Sequence, residues 1–305
     1  MELLSVILTI LGLCLFEVII SVDNAIINAE VLGTMSKKGR KWFLLWGILI
    51  AVFLVRGLLP ILILWANNPD LGPLGAFTAS FSSDPDAVRV IEKSAPILLA
   101  GGGIFLIFLF FHWLFLEPKH YGLIGEKFIE EQGVWFFAVA SLLLSLIVWQ
   151  AIKKNPLMAF GAVVGSTAFF ITHGFRDNAQ GAEKRMLDGG SNMPDISKIL
   201  YLEVIDATFS IDGILGAFAF TFSLPLILIG NGLGAFVVRK ITVGNIENVK
   251  KYKYLKNGAM YSILALGSIM IMDSFGAKIP QWISPMVTFL IIGFFFFKSA
   301  REIKN

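Results

Sequence analysis

Two hydrophobic segments of this chain carry acidic side chains in the same pattern. In each segment an acid is followed six residues later by an aspartate, and a serine stands two residues before that aspartate. The residues are Glu17, Ser21 and Asp23 in the first segment and Asp206, Ser210 and Asp212 in the second. An ionisable group inside hydrocarbon costs about 3 kcal/mol on insertion scales, so it persists only when it is paired, hydrated or used. The pattern therefore predicts a functional carboxylate site.

Helix geometry requires both segments to build that site. Residues six apart in one helix lie about 9 Å apart along the axis and about 120° apart around it, so Glu17 and Asp23 cannot chelate one ion together. If the two segments pack as antiparallel helices, Glu17 comes level with Asp212, and Asp23 with Asp206. Such a cluster of hard oxygen ligands suits Mn²⁺, Ca²⁺ or Mg²⁺ better than Zn²⁺ or Cu⁺. The predicted metal ligands are Glu17, Asp23, Asn24, Asp206 and Asp212, supported by Ser21, Glu203 and Ser210.

Arginine side chains offer a purely structural explanation for the same acids. Each motif is followed by a hydrophobic segment with an arginine, Arg56 or Arg239, and acid–arginine pairs alone would lock helices together. The acids outnumber these arginines, however, and surplus negative charge in a low dielectric requires protons or bound cations. We therefore favour a cation site with Arg56 and Arg239 as supporting counter-charges. Arg239, beside Lys240 at a helix end, serves equally well as a topology anchor.

The composition identifies lipid as the solvent around these segments. Of 305 residues, 56% are hydrophobic and 15% are charged, which is more apolar surface than one soluble core can bury. A bilayer core about 30 Å thick needs roughly 20 apolar residues of helix, and the apolar runs lack the alternation of barrel strands. We predict an all-α, polytopic transmembrane bundle of about nine helices. The predicted spans are 3–32, 42–65, 95–116, 135–152, 157–173, 199–222, 224–238, 259–271 with its flanks, and 282–297.

Basic residues in short loops set the predicted orientation. They cluster after the first span, before the eighth span and at the C-terminus, which places these three segments in the cytoplasm. The residues are Lys37, Lys38, Arg40, Lys41, Arg239, Lys240, Lys250, Lys251, Lys253, Lys256, Lys298, Arg301 and Lys304. The N-terminus is then outside, and we expect a cytoplasmic (inner) membrane. Lys153 and Lys154 fit poorly in an outer loop, which leaves open a re-entrant pair for the fourth and fifth segments.

The two acidic segments open the first and sixth spans, so in a nine-helix arrangement they run in opposite directions, as in an inverted repeat. We predict a first repeat over 1–116, linking helices and a cytoplasmic loop over 117–198, and a second repeat with C-terminal helices over 199–305.

The single cysteine, Cys14, excludes a disulfide framework or a thiolate cluster. A net charge of +3, concentrated beside hydrophobic segments, fits lipid headgroups rather than nucleic acid. The expected partners are the bilayer and a divalent metal ion, with a homo-oligomer left open.

The three histidines, and the segment that begins at the last of them, have ordinary structural explanations. His112, His120 and His173 lie near predicted span ends, where a lone histidine is more typical of the interface than of a ligand set. Residues 173–178 lead into a mixed-charge loop through Lys198, for which we expect a solvated connection rather than a gate.

Three consecutive glycines, Gly101, Gly102 and Gly103, also have a structural explanation. They lack the strand–turn–helix setting of a phosphate-binding loop. We predict that they permit a kink or close helix packing.

At its acidic motifs the sequence resembles the TerC family of integral membrane proteins, named for tellurium resistance and similar to the wider LysE-like transporters. The first-helix pattern Glu-x-x-x-Ser-x-Asp-Asn appears as Glu17, Ser21, Asp23 and Asn24. The pattern Glu-x-x-Asp with a later Asp appears as Glu203, Asp206 and Asp212. The family's C-terminal helices are resembled by residues 231–239, which add Asn231 to the supporting positions, and by 255–258, 279–280 and Ser284.

The resemblance implies efflux of divalent metal, chiefly manganese, and an association with tellurium resistance. Two departures concern the site: Gly213 stands where the family usually has serine, and a lysine common in the penultimate helix is replaced near 269–272. The added region over about 135–173 makes the chain longer than the common seven-helix form. It resembles the branch described only as a domain of unknown function, DUF475.

We expect a membrane transporter that exports Mn²⁺, or else Ca²⁺ or Mg²⁺, with proton coupling, since clustered carboxylates release protons when a cation binds. No enzymatic activity and no permanently bound cofactor are expected. One alternative is a non-transporting scaffold in metal or tellurite stress, whose function would survive neutralisation of the buried acids. A minor alternative is an intramembrane aspartyl protease using Asp23 and Asp212, but the Gly-x-Gly-Asp setting of such enzymes is absent.

Overall fold

In a computed structural model of the protein, residues 3–47, 50, 56–67, 69–81, 85–189, 193–244, 248–249 and 251–304 are described. Within these ranges the side chains at 23, 27, 56, 59, 60, 63, 64, 67, 71, 85–92, 177–189, 209, 242–244 and 304 lie outside the description. The described part of the chain is built from helices and contains no strand. The predicted all-α class is therefore confirmed.

The helices follow one another with short connections. They are α1 (Leu3–Ile20), α2 (Val22–Gly33), α3 (Lys37–Trp42), α4 (Arg56–Asn67), α5 (Gly72–Phe81), α6 (Pro85–Leu116), α7 (Glu126–Glu130), α8 (Phe136–Lys154), α9 (Pro156–Gly189), α10 (Asp195–Ala217), α11 (Leu224–Gly244), α12 (Leu255–Ser274) and α13 (Ile283–Lys304). A π-helical stretch, Phe43–Gly47, follows α3 directly. The mixed-charge loop predicted after residue 178 is mostly helix, because α9 continues to Gly189 and α10 begins at Asp195.

Seven of the described helices are long and apolar enough to cross a membrane. They contain Leu3–Ile20, Lys93–Leu116, Gly133–Lys154, Pro156–Arg176, Leu224–Ile241, Leu255–Ser274 and Ile283–Ile303. Of the two other predicted spans, the second lies partly outside the described residues, and the sixth is α10, whose acids lower its apolar character. The fourth and fifth predicted spans are both full-length helices, so the described residues give no support to a re-entrant pair. The protein is an integral membrane helical bundle.

Helix α6 forms the centre of the bundle. In its Lys93–Leu116 span, 78% of the most apolar stretch is buried, against 17% in Gly133–Lys154. Its main neighbours are α9 and α12, and Phe105, Phe108 and Trp113 on α6 are almost completely buried. Because lipid gives no hydrophobic drive for helices to associate, this centre depends on close van der Waals packing.

Glycines allow α6 to approach both of these neighbours. A Cβ atom at Gly101 would lie 2.8 Å from the carbonyl oxygen of Gly161 on α9. A Cβ at Gly103 would lie 2.9 Å from the carbonyl oxygen of Gly267 on α12. The backbones touch where side chains are missing, as in other small-residue helix contacts of membrane proteins. The close packing predicted for Gly101 to Gly103 is confirmed.

Two of the basic segments that were predicted to share one side of the membrane contact each other, because Lys253 before α12 forms an ion pair with Glu302 on α13 at 3.1 Å. The ammonium of Lys198 donates to the carbonyl oxygen of Thr34 over 3.1 Å, and Lys256 forms an ion pair with Glu117 at 2.9 Å. At the opposite end of α12, the ammonium of Lys154 donates to the carbonyl oxygen of Phe275, just after the C-terminus of that helix. Lys154 therefore satisfies a carbonyl group at a helix end, which accounts for its place outside the basic cluster.

A buried carboxylate fastens the connection between α6 and α8 to α12. Glu126 on α7 is 1% exposed. It accepts hydrogen bonds from the backbone N–H of Gly122 at 2.6 Å, the amide of Asn257 at 3.1 Å and the hydroxyl of Tyr261 at 2.9 Å. No sequence pattern pointed to Glu126, because an acid in a short polar connection is ordinarily exposed. Its three donors make the buried charge tolerable.

Removing one donor is expected to weaken this fastening. Tyr261→Phe deletes the hydroxyl while keeping the ring, and a hydrogen bond to a charged group contributes about 1.5–3 kcal/mol. We expect the free energy of unfolding in detergent to fall by that amount. The matched control is Tyr252→Phe, because the Tyr252 ring stacks on Phe296 at a centroid distance of 4.9 Å, a contact that phenylalanine keeps. Equal effects of the two variants would show that the Tyr261 hydroxyl has no special role.

Candidate functional site

The first acidic motif lies at the junction of two consecutive helices. Helix α1 ends at Ile20 and α2 begins at Val22, so Ser21 alone separates them. The Ser21 backbone has φ −88° and ψ 0°, and its hydroxyl donates to Oε1 of Glu17 over 2.6 Å. Glu17 is 1% exposed. The Ser21 N–H donates to the carbonyl oxygen of Glu17 at 3.1 Å and the Ala25 N–H to that of Ser21 at 2.8 Å, so the helical path continues past this buried carboxylate.

Two glycines shape the space around Glu17. A Cβ at Gly234 on α11 would lie 2.6 Å from the Cβ of Glu17, so any larger residue there would displace the acid. A Cβ at Gly213 on α10 would lie 3.2 Å from Oε2 of Glu17, which is tighter than ordinary contact. Gly213 is the position at which the TerC pattern usually has serine. Its lack of a side chain lets the Glu17 carboxylate approach the α10 backbone.

The two motif helices pack antiparallel, as predicted. Glu17 lies against Gly213, while further along the chain the amide of Asn24 donates to Oδ1 of Asp206. Still later in the chain, Thr34 contacts Lys198. As the residue number rises along α1 and α2, the contacting residue on α10 therefore has a lower number. Antiparallel packing brings the level of Glu17 to that of Asp212 and the level of Asp23 to that of Asp206. The inverted repeat itself stays a prediction.

The second motif aspartate, Asp212, is paired with an arginine that we did not predict as its partner. Oδ2 of Asp212 accepts a hydrogen bond from the guanidinium of Arg176 on α9 over 2.6 Å. The side chains of both residues are 10% exposed, so this is a buried ion pair. The expectation that residues 173–178 form a solvated connection is wrong for Arg176, because α9 continues through this segment as a helix and packs on α10. Asp212 is therefore a counter-charge to Arg176.

The other predicted residues take several positions. The Ser210 hydroxyl donates to the backbone oxygen of Asp206 over 2.6 Å. Glu203 is partly buried, and its Oε1 would lie 2.5 Å from a Cβ at Gly47. Asn231 on α11 is 0% exposed, and Arg239 on the same helix is partly buried. The side chains of Asp23 and Arg56 lie outside the described residues.

Buried oxygen atoms without a hydrogen-bond donor gather near Asp206. Within the described part of the chain, Oδ1 of Asn24, Oδ1 of Asn28 and Oε1 of Glu203 are buried and accept no hydrogen bond. The amide nitrogens of Asn24 and Asn28 both point to Oδ1 of Asp206, at 3.4 Å in the case of Asn28. Glu203 precedes Asp206 by three residues on α10, so the two face similar directions. Buried acceptors are nearly always satisfied, and such exceptions mark a place for water or a cation.

No complete metal centre is formed by the described side chains alone. Among them, no group of three or more His, Cys, Asp or Glu residues is placed to hold a metal ion. Antiparallel packing places the predicted ligand Asp23 at the same level along the helices as Asp206, but the side chain of Asp23 lies outside the described residues. What the described residues offer is a hard-oxygen surface of carboxylate and amide groups, chemistry that suits a hydrated or partly hydrated cation.

Two contributors to this region, Asn28 and Arg176, were not found from the sequence, and neither was a contact between two histidines elsewhere in the bundle. Asn28 is one helical turn after Asn24, so its helical spacing could have revealed it. Arg176 could have been found by extending the fifth span past its apolar run. His112 and His173, which were assigned to the interface as single residues, contact each other with ring centroids 3.6 Å apart.

The fold and this polar region together define a polytopic helical membrane protein with carboxylates at interhelical contacts inside the bundle. The family described as protein of unknown function, DUF475, matches residues 22–305, so the chain belongs to that family. No curated protein and no solved structure matches the chain. The predicted DUF475 branch is confirmed, and the wider kinship with the TerC family stays a prediction.

Proposed function

We propose that this protein is a secondary transporter for a divalent cation, with Mn²⁺ as the first candidate cargo and export from the cytoplasm as the direction. The observation that carries the proposal is the set of buried, donor-free oxygens of Asn24, Asn28 and Glu203 around Asp206. An acceptor oxygen that lacks a donor in a low-dielectric interior is stabilised by a cation or by water. An all-oxygen set favours Mn²⁺, Ca²⁺ or Mg²⁺ over softer metals.

The carboxylates of this region favour a cation over an anion as cargo. Asp212 pairs with Arg176 at 2.6 Å, and Asp206 receives hydrogen bonds from the amides of Asn24 and Asn28. The amide nitrogens of Asn24 and Asn28 hold the Asp206 carboxylate in place, while their side-chain oxygens accept no hydrogen bond. These amide oxygens are suited to act as cation ligands. In this proposal Asp23, Asn24 and Asp206 supply ligands at one level of the helices, with the oxygens of Asn28 and Glu203 beside them. Glu17 lies at the level of Asp212, where the pair of Asp212 and Arg176 sets the local field.

The helix arrangement supports alternating access. Helices α1 and α2 pack antiparallel on α10, as the halves of an inverted-repeat transporter do around a central site. Rocking of one half against the other would expose the oxygen surface to each side in turn. The inner membrane and the cytoplasmic C-terminus belong to this proposal, as does kinship with the TerC family.

The test is cation flux into proteoliposomes. We expect saturable Mn²⁺ flux with wild type and a loss of more than about tenfold with Asp206→Asn, because a site's affinity follows the charge of its ligands. Asparagine has nearly the same shape and keeps an oxygen for Asn24. The control is Asp70→Asn, which neutralises an exposed acid in the Pro69–Leu71 turn.

Ca²⁺, Mg²⁺ and Zn²⁺ are run in the same vesicles with a pH gradient imposed or collapsed. Flux of one hard cation that is lost in Asp206→Asn and kept in Asp70→Asn supports the proposal and names the cargo. If folded wild-type protein moves none of these cations, the transporter proposal is wrong and a scaffold role takes its place.

A further inference from the structure

Two of the three histidines in the chain meet at the contact between α6 and α9. The ring centroids of His112 on α6 and His173 on α9 are 3.6 Å apart, with 53° between the ring planes. Neither residue belongs to the oxygen surface around Asp206. The third histidine, His120, is exposed in the connection after α6.

Aromatic rings enclose this histidine pair. His112 meets the ring of Phe136 on α8 nearly edge to face at 5.5 Å, and His173 stacks on Phe169 at 5.5 Å with an interplanar angle of 15°. The His112 side chain is only 14% exposed. Low-dielectric walls of this kind strengthen the electrostatic interaction between charges that the pair takes up.

An acid lies beside the histidine pair at the end of α6. Nδ1 of His112 lies 3.5 Å from Oε1 of Glu117, and Glu117 also pairs with Lys256 on α12 at 2.9 Å. Burial alone would raise the pKa of Glu117, but the neighbouring imidazole of His112 and the charge of Lys256 hold that pKa well below its ordinary value. Glu117 is therefore an anion wherever the histidines titrate, and its 24% exposure connects the pair to solvent.

The remaining charges around the pair disfavour a second proton. Arg176 stands one turn after His173 on α9, and its partner on α10 is Asp212. The described contacts of α8 with His112 are made by Phe136, which adds no charge. Two imidazolium rings at this separation repel each other strongly, whereas a charged ring beside a neutral ring can share its proton.

We infer that His112 and His173 form a site for one proton between α6 and α9, and that this site supplies the proton coupling of the proposed transporter. Its coupling role rests on the proposed function, whereas the binding of one proton does not. The charge of Glu117 acts on Asp212, so the pair and the Arg176–Asp212 bridge share one electrostatic environment. A proton added to the pair places positive charge one helical turn from Arg176, which disfavours a cation nearby. Proton and cargo would then occupy the protein in alternation.

The proton site is tested by histidine-selective NMR of the full chain in lipid nanodiscs. Imidazole ¹⁵N shifts are followed across the pH range in which histidine titrates, in wild type and in His120→Gln, which leaves only the pair. We expect two steps separated by more than about one pH unit, because the first proton opposes the second. In His112→Gln with His120→Gln, the lower step should vanish and one simple step should remain.

Two imidazoles that titrate together in one simple step, unchanged by removal of the partner, would overturn the shared-proton site. The wild-type spectra decide this even if a pair variant fails to fold, since the chain has only three histidines to assign. His173→Gln provides a second deletion of the pair and should give the same loss of the lower step.

The coupling role is tested by the pH dependence of Mn²⁺ flux. Wild type and His120→Gln should show a several-fold change in flux across the histidine range, and His112→Gln should flatten that profile. A profile that is unchanged in His112→Gln and in His173→Gln would remove the coupling role. Absence of flux in wild type would count against the proposed function, and the NMR result would still decide whether the pair binds one proton.

Discussion

Gly165→Ala is expected to be among the most damaging single substitutions in the bundle. A Cβ on Gly165 would overlap the carbonyl oxygen of Gly101 and would lie 2.6 Å from its carbonyl carbon and 2.8 Å from its Cα. Backbone atoms cannot rotate away as a flexible side chain can, so α9 must separate from α6. Overpacking in a core typically costs about 1–3 kcal/mol, and we expect at least the upper end of that range here.

The measurement is the free energy of unfolding in detergent, together with the amount of protein inserted in the membrane. Gly174→Ala is the matched control, because Gly174 is on the same helix and a Cβ there meets nothing within 4 Å. Alanine has a better helix propensity than glycine by about 1 kcal/mol, so the control should be neutral or slightly stabilising. Equal losses in both variants would show that the packing of α9 on α6 is not the cause.

Arg176→Gln is expected to give the second large loss. It removes the guanidinium 2.6 Å from Asp212 and leaves a buried carboxylate without that charge partner. Breaking a buried pair from one side typically costs about 3–5 kcal/mol, mostly because the remaining charge is poorly solvated. We expect a fall of this size in the free energy of unfolding, measured in the same detergent.

A double variant separates the ion pair from simple packing. Arg176→Gln with Asp212→Asn removes both charges, and most of the loss should be recovered because no unpaired charge remains. The exposed pair of Lys253 and Glu302, at 3.1 Å, is the control, and Lys253→Gln should change stability little because water screens it. If the losses of the two single variants simply add in the double variant, the two side chains do not act as a pair.

Much of the fold follows from hydrophobicity. Runs of about 20 apolar residues must become helices in a bilayer, since an unpaired backbone group has no partner there. That physics predicted the spans over α1, α6, α8, α9, α11, α12 and α13 and failed mainly at helix ends. The end of α9 was missed because its last turns are polar, and hydropathy does not report helix that continues beyond the apolar run.

The candidate site was predicted in part. The spacing of acids around Glu17 and Asp206, and the rule that two helices must share a site, led to antiparallel packing of α1 and α2 on α10. The partner of Asp212 could not be obtained this way, because Arg56 and Arg239 were selected as the arginines on the hydrophobic segment that follows each motif. Which arginine reaches Asp212 depends on the rotation of α9 about its own axis.

The sequence by itself determined that this protein is embedded in a membrane, that it is helical, and that acidic residues recur within hydrophobic segments, where their transfer free energy is unfavourable. Those features are local, because transfer free energy belongs to each residue and its near neighbours. Only the tertiary structure decided that Arg176 meets Asp212, that His112 meets His173, and that Glu126 is buried among three donors. These contacts join residues on different helices, and glycine-to-glycine approach sets the distance and rotation at which the helices present them.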